Sequence, residues 1–481
     1  MAKSQFHFLS RRVRLKHSPI SIPLGVLVFT PLTFICFLYS IFLYRHPNSP
    51  AAAFRLPGTP PAIRGINQSI DRPFVVGCLD PELSAKQTPR ANGVLVMLAR
   101  NTELWGAMES IESVERHFNR WFHYPYVFLN DGEFDDNFRE TIGKLTTSKV
   151  EYGRVDRSMW GFPEWQDAEE AREWIAEQGD QAIMYGGLES YHHMCRFNSG
   201  FFYRHPLLEK YEWYWRIEPD IKYFCDITYD PFVYMERNNK VYGFVIAIKE
   251  LVETVPNIFR YAAAYKRTHN FTSKGMWEMF LERPPQDEAR PTATATSFMP
   301  QEILWAQPDA HRLPDIDPEA MEGETYNMCH FWSNFEIARL DFFRSKEYEE
   351  FFSMMDRTGG FWQERWGDAP IHSLAAGILL SPHQVHYFRD IGYRHTTIQH
   401  CPGNAPARQR PRSPYIETGS GKSRDVLEDE DTYWDSWDPE QVNGVGCRCK
   451  CDTDVVDVEG KEGNCLNEWA DIVGGWTTPP P

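Results

Sequence analysis

Glu336 stands in the run Tyr326-Asn-Met-Cys-His-Phe-Trp-Ser-Asn-Phe-Glu336-Ile337, a lone carboxylate among aromatic, hydroxyl and amide side chains. Such a mixture suits a sugar. Aromatic rings stack on pyranose faces, Asn and His edges read hydroxyls, and one carboxylate can act at an anomeric carbon. A structural role stands beside that one. Ser333-Asn-Phe-Glu336 fits a capping box, and Ile337, Leu340, Phe343, Phe351 and Phe352 continue a helix-like apolar spacing that Gly359-Gly360 ends.

A second concentration of chemistry runs through Ser190-Tyr-His-His-Met-Cys-Arg-Phe-Asn-Ser-Gly200 and on to Tyr211-Glu-Trp-Tyr-Trp-Arg-Ile-Glu218-Pro219-Asp220. Alternating aromatics up to Ile217 predict a buried strand, which Pro219 ends by restricting the residue before it. Glu218 and Asp220 then project at a strand terminus. They suit a divalent cation held against a diphosphate, or equally a turn in which Asp220 caps the next element. In Glu364-Arg-Trp-Gly-Asp368-Ala-Pro-Ile-His372, Asp368 precedes an apolar helix, and a helix N-cap is the commonest explanation for that. His395 closes Tyr387-Phe-Arg-Asp390-Ile-Gly-Tyr-Arg-His395, where an imidazole is either solvated or a metal ligand.

These groups need a frame. The apolar run Gly93 to Leu98, a helical pattern from Glu103 to about Phe118, and the run Tyr126 to Asp131 predict strand, helix and strand, hence βαβ units and a largely parallel sheet. Ligands of such sheets sit beyond the carboxyl ends of the strands, which nominates Arg100, Asn101, Asn130 and Asp131 for the pocket rim. Arg100 fits a solvated strand end as well. No GxGxxG or GxxxxGK[ST] stands at a strand-to-helix turn, so nothing calls for a Rossmann dinucleotide site or a P-loop. A helix is expected from Ile258 to Tyr265, followed by a Pro-, Thr- and Ala-rich surface excursion up to residue 325.

The chain has 481 residues, 15% aromatic, enough for one large core, and its net charge of −17 argues against a sequence-independent grip on nucleic acid. Residues 20–44 are uncharged and apolar, long enough to cross a bilayer, and follow Lys3, Arg11, Arg12, Arg14 and Lys16. The positive-inside rule then leaves 1–19 in the cytosol as the tail of a type II signal-anchor, with the rest luminal. A cleaved signal peptide ending near Ala51-Ala52-Ala53 is the rival. Residues 45–88, rich in Pro, Ala and Arg, read as a luminal stem, 89–402 as the catalytic domain, and 403–481 as an acidic, cysteine-containing extension. Nine cysteines follow the span; nine is odd, and an oxidising compartment favours disulfides over a metal at Cys447-x-Cys449-x-Cys451 with Cys465. Asn67-Gln-Ser69 and Asn270-Phe-Thr272 are glycan acceptors if luminal.

Together the segments SYHHMCRFNSGFF (190–202), YEWYWRIEPDIKYFCDI (211–227), YNMCHFWSNFEI (326–337), and ERWGDAPIHS with HYFRDIGYRH (364–395) resemble the fungal Golgi α-1,2-mannosyltransferases of glycosyltransferase family 15. The likeness runs from about Ala91 to Cys401. It implies a type II Golgi membrane enzyme whose fold is α/β, a GT-A-like mixed sheet flanked by helices. Such an enzyme uses GDP-mannose and Mn²⁺ to extend mannose chains on glycoproteins, O-linked or N-linked, with retention of configuration. By motif position Glu336 matches the proposed nucleophile, Glu218 and His395 lie at the metal and diphosphate, Tyr191 approaches the diphosphate, and Asp368 matches another acidic residue of the site. A His among oxygen ligands suits Mn²⁺ better than Mg²⁺. Rival functions are a non-catalytic luminal glycan-binding protein and a mannosylphosphate transferase. The stretch from Asn270 to Pro300 and the tail from Gly403 depart from the family pattern and bear on acceptor choice.

Overall fold

The computed structural model describes residues 12–14, 21–23, 30, 78–282, 321–405, 437–441 and 444–474. Two units, 1–60 and 61–481, divide the chain. In the first, β1 (Arg12–Arg14) pairs antiparallel with β2 (Ser21–Pro23). The expected span 20–44 therefore opens with three residues in a strand; the rest of it, Thr30 aside, lies outside the described residues, as do the sequon Asn67 and most of the stem. Among the described residues no helix is long and apolar enough to cross a membrane.

The second unit is built on a mixed seven-stranded sheet. β3 (Gly93–Leu98) and β4 (Tyr126–Asn130) are continuous runs buried along almost their whole length, the pattern of strands covered on both faces. They lie parallel to each other; β5 (Val150–Arg154) extends the parallel set beyond β4 and β6 (Trp213–Arg216) beyond β3. The helix Leu104–Val114, its continuation to Phe122 and the helix Asp136–Leu145 supply the crossovers expected between the strands. Past β6 the parallel order stops. A small antiparallel sheet holds β7 (Ile221–Tyr223), while β8 (Tyr242–Phe244) and β9 (Ala247–Lys249) follow in the chain. β10 (Cys329–Phe331) pairs with β9, and β11 (Glu336–Arg339) runs antiparallel between β6 and β8. β12 (Val385–Tyr387) closes that edge, and β13 (Tyr393–His395) lies between β7 and β14 (Ile398–His400).

β11 overturns the capping box. Glu336 opens a strand, Ser333 turns its hydroxyl to Asp368, and the main helix that follows is Lys346–Arg357, capped by Ser345 and stopped before Gly359 at φ +75°. Ile337 thus belongs to a sheet, not to a helical stripe. The helix Ile258–Thr268 forms where it was expected.

The C-terminal segment is stitched into this unit rather than appended to it. Disulfides join Cys78 to Cys447, Cys225 to Cys449, Cys329 to Cys465 and Cys401 to Cys451. Cys195, buried, is the free cysteine among the described residues. The helix Leu466–Ile472 buries Trp469 against Phe244 and Phe331. Within the expected stem, Pro81–Gln87 is a helix capped by Asp80. The acidic run Glu428 to Asp431 lies outside the described residues.

Candidate active site

Because β3, β4 and β6 are parallel, their carboxyl ends share one edge of the sheet, and a small pocket of about 20 Å³ lies there. Leu98 and Leu129 line its floor, Phe197 and Asn198 come from the helix Glu189–Gly200, and Arg216, Glu218 and His372 form the polar wall. The rim residues divide. Asn130 is buried with its Oδ1 lacking a partner among the described residues, whereas Arg100 and Asp131 are exposed. Arg100 donates its backbone N–H to Glu103 at 2.8 Å.

Register places the chemistry. Glu336 lies opposite Arg216 in the β11–β6 ladder, so their side chains share one face of the sheet. Arg216 is buried and bridges two carboxylates, donating to Glu218 and Asp368; Ser333 Oγ donates to Asp368 at 2.6 Å. Asp368 is the first residue of the helix Asp368–Leu379, whose N-cap is Gly367, so the expected capping role gives way to this ion pair. Burial pushes the Asp368 carboxyl up, but the charges of Arg216 and His372 and the hydrogen bonds from Ser333 and Arg216 together outweigh it and leave the group below the usual carboxylate range. At Glu218 burial wins, and its carboxyl sits above that range.

Glu336 itself is fully buried, 0% exposed. Its Oε2 accepts from the Tyr242 hydroxyl and contacts His372 Nδ1 at 2.8 Å, while Oε1 has no partner among the described residues. Burial raises its carboxyl above the ordinary value. One carboxylate oxygen is therefore anchored and the other is left for something else.

His395 ends β13 opposite Ile221 of β7, beside the Glu218-Pro219-Asp220 turn. Burial pushes its imidazole down to about 4, so it is neutral, and its Nδ1 lacks a partner among the described residues. The turn itself is tight. Asp220 has φ +62° and donates its N–H to the Gly106 carbonyl at 3.1 Å, and a Cβ on Gly106 would stand 2.5 Å from Asp220 Oδ1. Among the described residues, three metal-ligating side chains converge only at Cys329, Cys465 and Glu468, where the two thiols form a disulfide. Glu218 offers a buried carboxylate and His395 a neutral, desolvated imidazole, donor types that suit a borderline cation.

Tyr191 is held by Arg365, whose Nη1 donates to its hydroxyl at 3.2 Å and whose Nη2 donates to Glu250 at 3.3 Å. Burial raises the Tyr191 phenol well above its usual value, so it stays a neutral donor. Tyr185 stacks on it with centroids 4.8 Å apart and is itself exposed at φ +60°. Sequence reasoning did not single out Arg216, Tyr242, Arg365, Tyr185 or His372. His372 had a visible signal, because it lies four residues after Asp368 on one helix and so on the same face. Arg216 and Tyr242 had none beyond their place in apolar strands.

A sequence profile described as glycolipid 2-alpha-mannosyltransferase matches residues 75–412. The chain belongs to glycosyltransferase family 15, the GDP-mannose-dependent α-1,2-mannosyltransferases. Among its relatives, O-glycoside alpha-1,2-mannosyltransferase homolog 4 of Schizosaccharomyces pombe is 49% identical over 418 residues, covering 86% of this chain and 85% of the relative. Alpha-1,2 mannosyltransferase KTR1 of Saccharomyces cerevisiae is 42% identical over 67% of this chain and 72% of its own length. The solved mannosyltransferase Ktr4p of S. cerevisiae in complex with GDP superposes with a TM-score of 0.58 at 28% identity, covering 99% of this chain and 97% of that one. Core-mannan synthase A of Aspergillus fumigatus, in its Mn/GDP-form, gives 0.56 at 32% identity over 78% and 90%. The family 15 fold, an α/β GT-A-like mixed sheet with helices, is the one described above.

Proposed function

We propose that this family 15 chain transfers mannose from GDP-mannose to the 2-hydroxyl of mannose-terminated glycans on glycoproteins, with retention, and that Glu336 acts at the anomeric carbon. The observation that carries this is the Glu336 carboxylate, sealed from water with Oε2 anchored and Oε1 unpartnered among the described residues, next to His372, which lines the small pocket at the carboxyl edge of the sheet. Oε1 forms a bond to the anomeric carbon as the bond to the diphosphate breaks, and the acceptor hydroxyl, passing its proton to an oxygen of the departed diphosphate, then displaces Glu336 from the opposite face. Should the acceptor instead attack beside the leaving phosphate, the same carboxylate stabilises the positive charge developing on the sugar.

Glu218 and His395 would hold Mn²⁺, and the Mn/GDP-form of the A. fumigatus relative supports that choice. A bound divalent cation neutralises the charge of departing GDP. Tyr191, kept protonated and aimed by Arg365, donates to the diphosphate, and the buried Asn130 Oδ1 accepts from the donor nucleotide. Exposed Arg100 and Asp131 complete the donor rim. The four disulfides support a luminal, oxidising location, consistent with a type II Golgi anchor at 20–44.

Product analysis with GDP-mannose, Mn²⁺ and a panel of mannosides tests this: an α-1,2-linked disaccharide with release of GDP is expected. Phosphate retained on the product, or binding without turnover, would overturn it.

A further inference from the structure

The contacts of His372 fix where its protons are. Its Nε2 lies 3.0 Å from the carbonyl oxygen of Asn198, which can only accept, so Nε2 carries a hydrogen. Its Nδ1 lies 2.8 Å from Glu336 Oε2, and one proton must sit between those two atoms. If the proton is on Glu336, both partners are neutral; if it is on His372, the site contains an imidazolium and a carboxylate. The surroundings choose. The Tyr242 hydroxyl donates to the same Oε2, which favours an ionised carboxylate there. Burial and the Arg216 guanidinium weigh against the imidazolium, and Asp368 weighs against a charged Glu336, but Glu336 itself and Asp368, one helical turn before His372 and paired with Arg216, outweigh them and hold the imidazole above its usual value. Tyr348 packs its ring against His372 at 6.3 Å and gives its hydroxyl to the Ser199 carbonyl, so it adds no charge. Phe202 and Phe343 fill the remaining ring contacts.

We propose that His372 is a positioning residue of the transfer reaction: as an imidazolium it keeps Glu336 ionised inside a water-free wall and pins Oε2, so that Oε1 is the atom offered to the sugar. The inference rests on the role given to Glu336 above and goes beyond it by naming what keeps a fully buried carboxylate charged. Left without a counterion, such a group would take up a proton and lose its value both as a nucleophile and as an anion facing a developing cation. The device works for either route of retention, because both need the charge on Glu336. It also explains why both hydrogen bonds converge on one oxygen.

Two measurements test this. In the wild-type protein carrying ¹⁵N-histidine, both ring nitrogens of His372 are expected in the protonated range at the pH of activity; an unprotonated Nδ1 overturns the proposal without recourse to any variant. Kinetics supply the second. His372→Gln keeps an amide donor but removes the charge, and is expected to lower kcat about 10²-fold while the KM for GDP-mannose stays nearly unchanged. The acid limb of its kcat profile should move up by about one pH unit or more, because a carboxylate without its cation needs higher pH to ionise. A merely structural role would lower the folded fraction and leave that limb in place, which would overturn the proposal, as would wild-type kinetics. His372→Asn serves the same comparison where the longer amide is not accommodated. Glu336→Gln is assayed in parallel: wild-type turnover there removes the reading on which the inference rests, whereas its inactivity together with an unmoved limb in His372→Gln removes only the inference.

Discussion

Two buried charge networks in this protein differ in one respect. Under the C-terminal segment, Asp226 has both oxygens engaged, Oδ1 with His117 Nδ1 at 3.2 Å and Oδ2 with Arg448 Nε. At the carboxyl edge of the sheet, Glu336 has one oxygen engaged and one without a partner among the described residues, and His395 and Asn130 also present atoms unpartnered there. Desolvated polar groups are costly when unsatisfied, so a closed network tightens the fold and an open one waits for a ligand. Orphan atoms alone do not mark a site, since Trp277 Nε1 and Trp469 Nε1 also lack partners. A carboxylate oxygen without a partner among the described residues, on the strand position that faces Arg216 and its Glu218 and Asp368 partners, is a stronger signal.

Glu336→Gln should produce the largest effect on function, lowering kcat about 10³-fold or more while the unfolding midpoint barely moves. Turnover close to wild type would erase the contrast between the networks. The opposite pattern is expected at the closed one. Arg448→Met strands the Asp226 carboxylate and should cost about 3–5 kcal/mol in chemical denaturation, with kcat per folded molecule unchanged. A loss of kcat without loss of stability would show that the clamp reaches the chemistry.

His395→Ala should raise the Mn²⁺ concentration for half-maximal activity at least about tenfold, a cost that even outer partners of a metal site exact. Chelation should abolish wild-type activity, and added Mn²⁺ should restore it better than Mg²⁺. An unaltered Mn²⁺ requirement in the variant would remove His395 from the donor set.

Asp390 sharpens the comparison from a third place. Its Oδ1 lacks a partner among the described residues, and burial pushes its carboxyl up to about 7. Between the ordinary carboxylate value and 7 the folded state therefore binds more protons than the unfolded, so the contribution is present at low pH and is lost as pH rises through that window. Asp390→Asn should raise the unfolding midpoint by a few °C at pH 8 and change it little near pH 4. Equal shifts at both pH values would mean the effect is not proton-linked.

Legibility followed the range of the interactions. The runs 93–98 and 126–131 were readable as strands because burial on both faces leaves a continuous apolar signature in a single stretch of chain. The capping-box alternative for Glu336 fails because Ser-x-x-Glu is a local pattern, while its strand exists only through pairing with β6 and β8, more than 90 residues away. Asp368 misled in the same manner. Its place before Ala-Pro indicates a cap, but Arg216, 152 residues distant, claims the carboxylate.

The sequence by itself determined the family and the chemical repertoire: which segments carry aromatic rings, carboxylates and imidazoles, and that βαβ units frame them. It also determined that nine cysteines after residue 44 leave one unpaired. Only the tertiary structure decided which carboxylate is paired, which is anchored at one oxygen, and which thiols join the C-terminal segment to the rest. The reason is physical. Composition and periodicity are properties of neighbours along the chain, whereas the charge state of a buried group depends on the dielectric and partners that packing brings to it from distant strands.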